Sequence, residues 1–240
     1  MSVTVERVEM EAAFLLHSRP WRETSRIIEV FSQQHGRVGL IANGAMRPKS
    51  RWRSVLRPFQ PMRMSWSGRG SLYTLRAAEP SSGAFDIKGM SLMSAYYLNE
   101  LLLTLMERRD AHVELFAHYA ATLDELAAAS DAEPVLRRFE VLLLAEIGYG
   151  LMLDEDVVER SPLQPERLYE YVVDRGAVPV SDDCGGALVF SGADLIAIAR
   201  GECATDLQLR SAKRLLRPVL NWALGGKTLR TREVLASMLR

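Results

Sequence analysis

The sequence predicts an α+β fold, with a small β-barrel at the N-terminal end followed by a mostly helical domain. Three observations carry this. Apolar and polar residues alternate over much of the first eighty positions, the apolar repeat lengthens to three and four from about residue 90, and the stretch PSSGAFDIKG at 80–89 separates the two patterns. The expected organisation is a barrel domain over 1–79 and a helical domain over 80–240, with a β or irregular insertion over 164–190.

The barrel elements come first. VFSQQHGRVGLIANG has two apolar-rich runs around a Gly-containing break, which is a hairpin pattern. In PMRMSWSGRGSLYTLRAAE, Met62, Met64 and Trp66 alternate with Arg63, Ser65 and Ser67; Gly68-Arg69-Gly70 supplies a turn, and Tyr73, Leu75 and Ala77 follow on one side. A period of two buries one face and wets the other, so Trp66 is expected in the core. Some five short strands fit this length, which suits a closed or nearly closed barrel better than an open sheet with unprotected edges. The decapeptide GAMRPKSRWR lies in the long connection between the third and fourth strands, and Trp21 is expected in a loop after Pro20.

The helical elements follow. SLMSAYYLNELLLTLMERR and AHVELFAHYAATLDELAAA read as two helices, the second with Val113, Phe116, Ala120, Leu123 and Ala127 along one face. PVLRRFEVLLLAEIGYG is a third, with Pro134 in its first turn and Gly148 and Gly150 at its end. From Leu163 to Phe190 the pattern is β or irregular, with YEYVV and ALVF as candidate strands. Thr205 and Gln208 then have capping-box spacing ahead of an apolar stripe, Leu209, Ala212, Leu216 and Leu220. The other side of that helix carries Arg210, Lys213, Arg214 and Arg217, Pro218 is expected to kink it or loosen a hydrogen bond, and Lys227, Arg230 and Arg232 extend the charge.

Thirty basic and thirty acidic residues cancel overall, but their distribution does not. Residues 1–79 carry a net charge of +7, residues 80–199 a net of −13 and residues 200–240 a net of +6. Between Glu29 and Glu79 there is no acid at all, while Arg37, Arg47, Lys49, Arg51, Arg53, Arg57, Arg63, Arg69 and Arg76 fall in that interval. Basic ends around an acidic middle point to a polyanionic partner. No apolar run is long enough to span a bilayer, and the opening MSVTVERVEMEAAFLL has three glutamates where a signal peptide has basic residues, so the expected location is the cytoplasm with no membrane partner. Cys184 and Cys203 lie far apart without a CxxC pair, which fits a reducing compartment.

Catalytic patterns are scarce. GGKT at 225–228 resembles the tail of a phosphate-binding loop, but Asn221 occupies the position of the required first glycine and a helix precedes it where a strand is needed. His17, His35, His112 and His118 have no metal-site spacing, and Asp154, Glu155 and Asp156 have no complementary ligand set. The expectation is a binding protein with no catalytic residue and no cofactor. Arginine and lysine neutralise phosphates and aromatic faces stack bases of any identity, so a barrel with a basic loop holding Trp52 suits sequence-tolerant nucleic-acid binding.

The blocks FLLHSRPWRETSRIIEVFSQQHGRVGLIANGAMRPKS, LRPFQPMRMSWSGRGSLYTLRAAE, YYLNELL, LRRFEVLLLAEIGYG and LRSAKRLLRPVLNWALGGKTLRTREVL, in that order, closely resemble the bacterial RecO family of recombination mediators. That resemblance implies an N-terminal OB-fold and a mostly helical second domain. It also implies binding of single- and double-stranded DNA, annealing of complementary strands, and partnership with RecR and the single-stranded DNA-binding protein to load RecA; the need for a RecF-type partner stays open. On this reading the DNA-binding residues are Arg37, Arg47, Lys49, Arg51, Trp52, Arg53, Arg57, Arg63, Arg210, Lys213, Arg214, Arg217 and Lys227. Arg137 and Arg138 beside Phe139 are the candidates for the acidic, hydrophobic-ended tail of the single-strand binding protein, Arg137 being preferred, with intramolecular pairing to Glu140 or Asp131 as the alternative. Some relatives carry a four-cysteine zinc ribbon corresponding to about 164–206; only Cys184 and Cys203 stand there, so no structural zinc is expected. The competing functional readings are an RNA-binding OB module and a nucleic-acid enzyme using Asp154, Glu155 and Asp156.

Overall fold

The computed structural model describes residues 5–81, 83, 85–181 and 186–238. Five strands, β1 (Glu6–Trp21), β2 (Ser25–Ser32), β3 (Gly36–Ala42), β4 (Pro61–Gly68) and β5 (Tyr73–Pro80), close into a barrel in the order β1-β2-β3-β5-β4. Neighbours are antiparallel except β3 and β5, where Leu40 lies against Tyr73 in a parallel pair. Closure depends on the length of β1: residues 6–14 pair with β4 and residues 13–21 with β2. The strand bends to serve both, through register irregularities between Val8 and Glu11 and between Leu15 and His17.

After the barrel come α1 (Gly89–Leu105), α2 (Val113–Ala128), α3 (Glu133–Glu146), β6 (Leu168–Val172), β7 (Gly176–Pro179), β8 (Val189–Ser191), α4 (Gly192–Arg200), α5 (Asp206–Ala223) and α6 (Arg230–Met238). The chain packs as two units, residues 1–129 with 229–240, and residues 130–228. The compositional break at 80–89 thus marks where strands give way to helices. Packing divides later, between Ala129 and Ser130, because α1 and α2 belong with the barrel.

In the first unit the alternation of β4 and β5 buries Met62, Met64, Trp66, Tyr73 and Leu75 together with Leu15, Val30, Val38 and Leu40. β1 behaves differently, since Ala13, Phe14, Leu15 and Leu16 are all buried. Their outward members are covered as well: Phe14 and Phe31 meet Phe116 and Tyr119 of α2 with ring centroids 5.1 to 6.0 Å apart. This packing rotates α2 relative to the expected stripe. Leu115, Phe116, Tyr119, Thr122, Leu123 and Leu126 face inward, whereas Val113 is 38% exposed.

The irregularity in β1 leaves the Leu16 carbonyl to be satisfied from outside the sheet. Asn99 of α1 donates its Nδ2 to that oxygen at 3.0 Å, and the Tyr119 hydroxyl of α2 donates to Asn99 Oδ1 at 2.5 Å. Both side chains are buried, and burial pushes the Tyr119 pKa far above the usual tyrosine range. Gly36, at the β2–β3 turn with φ 59°, allows a second close approach: an added Cβ would stand 1.8 Å from the Asp110 carbonyl oxygen. The Arg109 N–H donates to the Arg37 carbonyl at 3.1 Å, holding the α1–α2 connection on β3. At the far end of the chain, Glu100 accepts from the Arg230 and Thr231 N–H groups at 2.8 and 2.9 Å, satisfying orphan donors in the first turn of α6.

In the second unit α3, α4 and α5 pack on one another beside a three-stranded sheet of order β7-β6-β8. β6 and β8 overlap the candidate strands YEYVV and ALVF, and β7 lies in the stretch expected to be β or irregular, whereas α4 and α6 are not singled out by the sequence within the expected helical domain. The Thr205–Gln208 capping box is formed in both directions, and α5 continues through Pro218 as one helix. Phe139, Leu143, Leu195, Ile198, Ala212, Leu216 and Leu220 are fully or almost fully buried. Among the described residues no helix is long and apolar enough to cross a membrane.

Asn99→Ala strips a partner from two buried polar groups, Leu16 O and the Tyr119 hydroxyl. It should destabilise the first unit by about 2–4 kcal/mol, against about 1 kcal/mol for Tyr119→Phe, measured by denaturant unfolding followed through tryptophan fluorescence.

Candidate nucleic-acid interface

The β3–β4 connection is compacted by successive tight turns. The N–H of Arg47 donates to Gly44 O at 3.1 Å, that of Ser50 to Arg47 O at 3.0 Å and that of Arg53 to Ser50 O at 3.3 Å. The Met46 N–H donates to Thr24 O at 2.8 Å, tying the connection to the β1–β2 turn. Cations therefore recur every few residues along a fixed backbone: Arg47, Lys49, Arg51, Arg53 and Arg57 are all exposed.

This connection and β5 enclose an open groove of about 540 Å³, whose wall includes Asn43, Arg47, Lys49, Arg51, Thr74 and Arg76 and no acidic residue. Arg51 donates to the Arg76 carbonyl at 3.0 Å, and the Arg76 side chain donates to Ser67 Oγ at 2.8 Å, so two of the cations are oriented by neighbours. Arg76 also lines an adjacent groove with Arg7, Ser65 and Ser67. It is not among the binding residues expected above, although strand alternation turns it outward opposite the buried Leu75.

Trp52 corrects an expectation. It is 5% exposed, belongs to the barrel core and donates its indole N–H to the Asn43 carbonyl at 3.0 Å, with the Arg51 guanidinium 4.2 Å from its ring centroid. An aromatic amid arginines reads as a stacking platform in sequence, but here the ring anchors the loop and the arginines form the surface. Arg37 departs as well: its guanidinium donates to the Leu103 carbonyl at the end of α1, and burial lowers its pKa while Glu29 opposes that shift. Arg63 is exposed and donates to the Met10 carbonyl at 3.1 Å, bracing the first irregularity of β1. Trp21 ends β1 rather than lying in a loop, half-buried with the Arg19 and Arg22 guanidinium groups each 5.9 Å from its centroid.

In the second unit Arg210, Lys213, Arg214 and Arg217 are exposed on α5, and Lys227 is exposed beyond it. Two are engaged locally. Arg214 donates to the Val189 carbonyl at 2.6 Å and lies 4.2 Å from the Phe190 ring centroid, and Lys213 stands 3.5 Å from Glu133.

The candidate tail site is rearranged by packing. Phe139 is fully buried, and Arg137 pairs with the buried Glu140 at 2.5 Å and with Glu133 at 3.5 Å, which is the intramolecular alternative that the sequence left open. Arg138 is exposed instead, and both arginines border a small pocket of about 10 Å³ with Pro134, Val141, Ile198 and Cys203, room for no more than a water-sized group. Among the described residues no group of three or more His, Cys, Asp or Glu is placed to hold a metal ion; Cys184 lies outside the described residues.

Of the acidic run, Asp156 is structural. Its Oδ1 accepts from the Val158 and Glu159 N–H groups at 2.9 and 2.6 Å and its Oδ2 from the Ser161 hydroxyl at 3.1 Å. The Glu159 backbone bond is the main influence holding its pKa below the usual carboxylate range, with burial opposing it. A depressed folded pKa means that this stabilisation is present above the unfolded value, about 4, and is lost as pH falls through the folded one.

Two outcomes test these assignments. Asp156→Asn should flatten the loss of stability below about pH 4, read from thermal midpoints across an acid series. Trp52→Ala should cost about 3–5 kcal/mol of stability, as removal of a core aromatic does, whereas Trp52→Phe should keep nucleic-acid affinity and salt dependence unchanged in a binding titration.

Two family models match the chain: recombination protein O N terminal over residues 7–84 and recombination protein O C terminal over residues 89–233. Similar relatives include the DNA repair protein RecO of Aromatoleum aromaticum, 44% identical over 233 residues covering 97% of each chain. Those of Nitrosospira multiformis and of Azoarcus sp. are each 43% identical, covering 98% of both chains. With both family models matched in order and full-length relatives at this identity, the chain belongs to the recombination protein O family of DNA repair proteins.

Proposed function

We propose that the protein is a non-catalytic recombination mediator that binds single- and double-stranded DNA and anneals complementary strands. The observation that carries this is the groove between the β3–β4 connection and β5, walled by Arg47, Lys49, Arg51 and Arg76 without an acid. Cations on turns of fixed backbone neutralise phosphates while leaving base edges unread, which suits a protein that must accept any sequence. The exposed cations of α5 supply a second patch of the same chemistry. Neutralising two strands lowers their mutual repulsion and raises their local concentration, and annealing then proceeds by base pairing without a covalent step.

On this reading RecR and the single-stranded DNA-binding protein are the partners, RecA loading is the outcome, and the nucleoid is the place of work. The acidic tail of the single-strand binding protein docks on the exposed face of α3, with Arg138 rather than Arg137, the residue preferred from sequence, reaching its terminal carboxylate. The support is geometric, since Arg137 pairs with the buried Glu140 and Arg138 is the more exposed of the two.

Replacing Arg47, Lys49, Arg51 and Arg53 together by Ala should slow oligonucleotide annealing and shallow the salt dependence of single-strand binding by about 0.7 for each phosphate that is no longer neutralised. Undiminished annealing with an unchanged slope would remove the loop from the site. Matched DNA and RNA strands should bind comparably; a clear preference for RNA would favour the RNA-module reading. For the tail, Arg138→Ala should weaken binding of the terminal peptide in a fluorescence titration at unchanged stability. Arg137→Ala should instead lower stability measurably, by removing one partner of the buried Glu140.

A further inference from the structure

At the C-terminal end of α5, Trp222 is 49% exposed, and Tyr149, just past the end of α3, is 37% exposed. Their rings stand edge to face, with centroids 4.9 Å apart and planes at 73°. Both are held by backbone that is hard to displace. The Tyr149 N–H donates to the Leu144 carbonyl at 2.8 Å and that of Gly148 to Ala145 at 3.2 Å, with Gly148 at φ 81°, a left-handed helix stop that seats Tyr149 on the end of α3. Trp222 lies in the last turn of α5, and its carbonyl accepts from the Gly225 N–H at 3.0 Å. Trp222 follows the buried Leu215 by two helical turns, so its indole continues the edge of the core face past the last buried layer, where about half of its surface and over a third of Tyr149's stay exposed.

The surroundings indicate an occupant. At about 100° per residue, Arg210, Arg214, Arg217 and Asn221 fall in one line along α5, and Trp222 is turned about 100° to the flank of that line. From Arg217 to Trp222 the rise along the helix is about 7.5 Å. The only acid on α5 is Asp206, at the opposite end. A strand with its phosphates on the cationic line projects its bases sideways, toward the exposed indole.

We infer that Trp222, braced by Tyr149, is a base-stacking platform that makes the α5 surface a single-strand site. The cations of α5 hold phosphate from single and double strands alike. The indole accepts only an unstacked base, because bases inside a duplex have no free face. The platform thereby adds a preference for unpaired strand to an otherwise indifferent patch, and stacking on any base preserves sequence tolerance. This rests on the DNA-binding reading above and deepens it.

The test uses the full-length chain with oligo(dT) and a blunt duplex of equal length. Trp222→Ala should weaken oligo(dT) binding by roughly 5- to 100-fold, the cost of one stacked base, with duplex affinity and salt slope unchanged. Trp222→Phe should retain most of the affinity, and the fluorescence quenched by oligo(dT) in the wild type should be largely lost in that variant. Equal oligo(dT) affinity in Trp222→Ala would overturn the inference. So would an equal loss for duplex, or a loss confined to an acidic tail peptide, which would mark a protein-docking surface. A wild type that binds no oligo(dT) would instead overturn the DNA-binding reading itself.

Discussion

The carbonyl of Leu16, stranded by an irregularity in β1 and bound by Asn99, is the constraint on which the first unit turns. β1 must bend to pair with β2 along one half and β4 along the other, and bending leaves a buried acceptor without a ladder partner. An amide from α1, itself oriented by the Tyr119 hydroxyl from α2, answers that acceptor. The same two helices cover Phe14 and Phe31 on the outside of the barrel. The same contacts thus serve barrel closure and helix docking, which explains why packing divides after α2 and not where the strands end.

Closure also sets the groove. With β3 and β5 paired in parallel, the chain must cross from Ala42 to Pro61 by a long connection, and burying Trp52 fixes that connection to the barrel. The indole of the segment is then spent inward. What remains outside is arginine and lysine over a stretch of chain without a carboxylate, so the local field is positive although the whole chain is neutral.

The arginines of this protein divide into two populations that sequence does not distinguish. Arg37, Arg63 and Arg214 donate to backbone carbonyls, and Arg137 neutralises a buried glutamate. The bond to a neutral carbonyl orients the first three and leaves their charge in place, whereas the charge of Arg137 is committed to the fold. Arg47, Lys49, Arg51, Arg53, Arg210 and Arg217 are exposed and carry the electrostatic surface. The division follows from accessibility: an irregular strand or a helix end near an arginine offers an acceptor whose satisfaction outweighs the freedom of an exposed side chain.

Much of the fold was legible locally. The period-two runs of β4 and β5, the hairpin of β2 and β3, the Thr205–Gln208 capping box and the basic stripe of α5 are short-range patterns, and short-range patterns survive in a bare sequence. The acid-free interval likewise located the groove wall without any structure. What the sequence could not supply were the outcomes decided between distant residues. Trp52 sits among arginines in sequence yet is claimed by the barrel core, Phe139 and Arg137 are adjacent to Arg138 yet lie inside while it lies outside, and Trp222 meets Tyr149 from a distant part of the chain. Charge and periodicity are properties of the sequence by itself; which side of an aromatic or an arginine remains wet is settled only when tertiary packing assigns every buried face a partner.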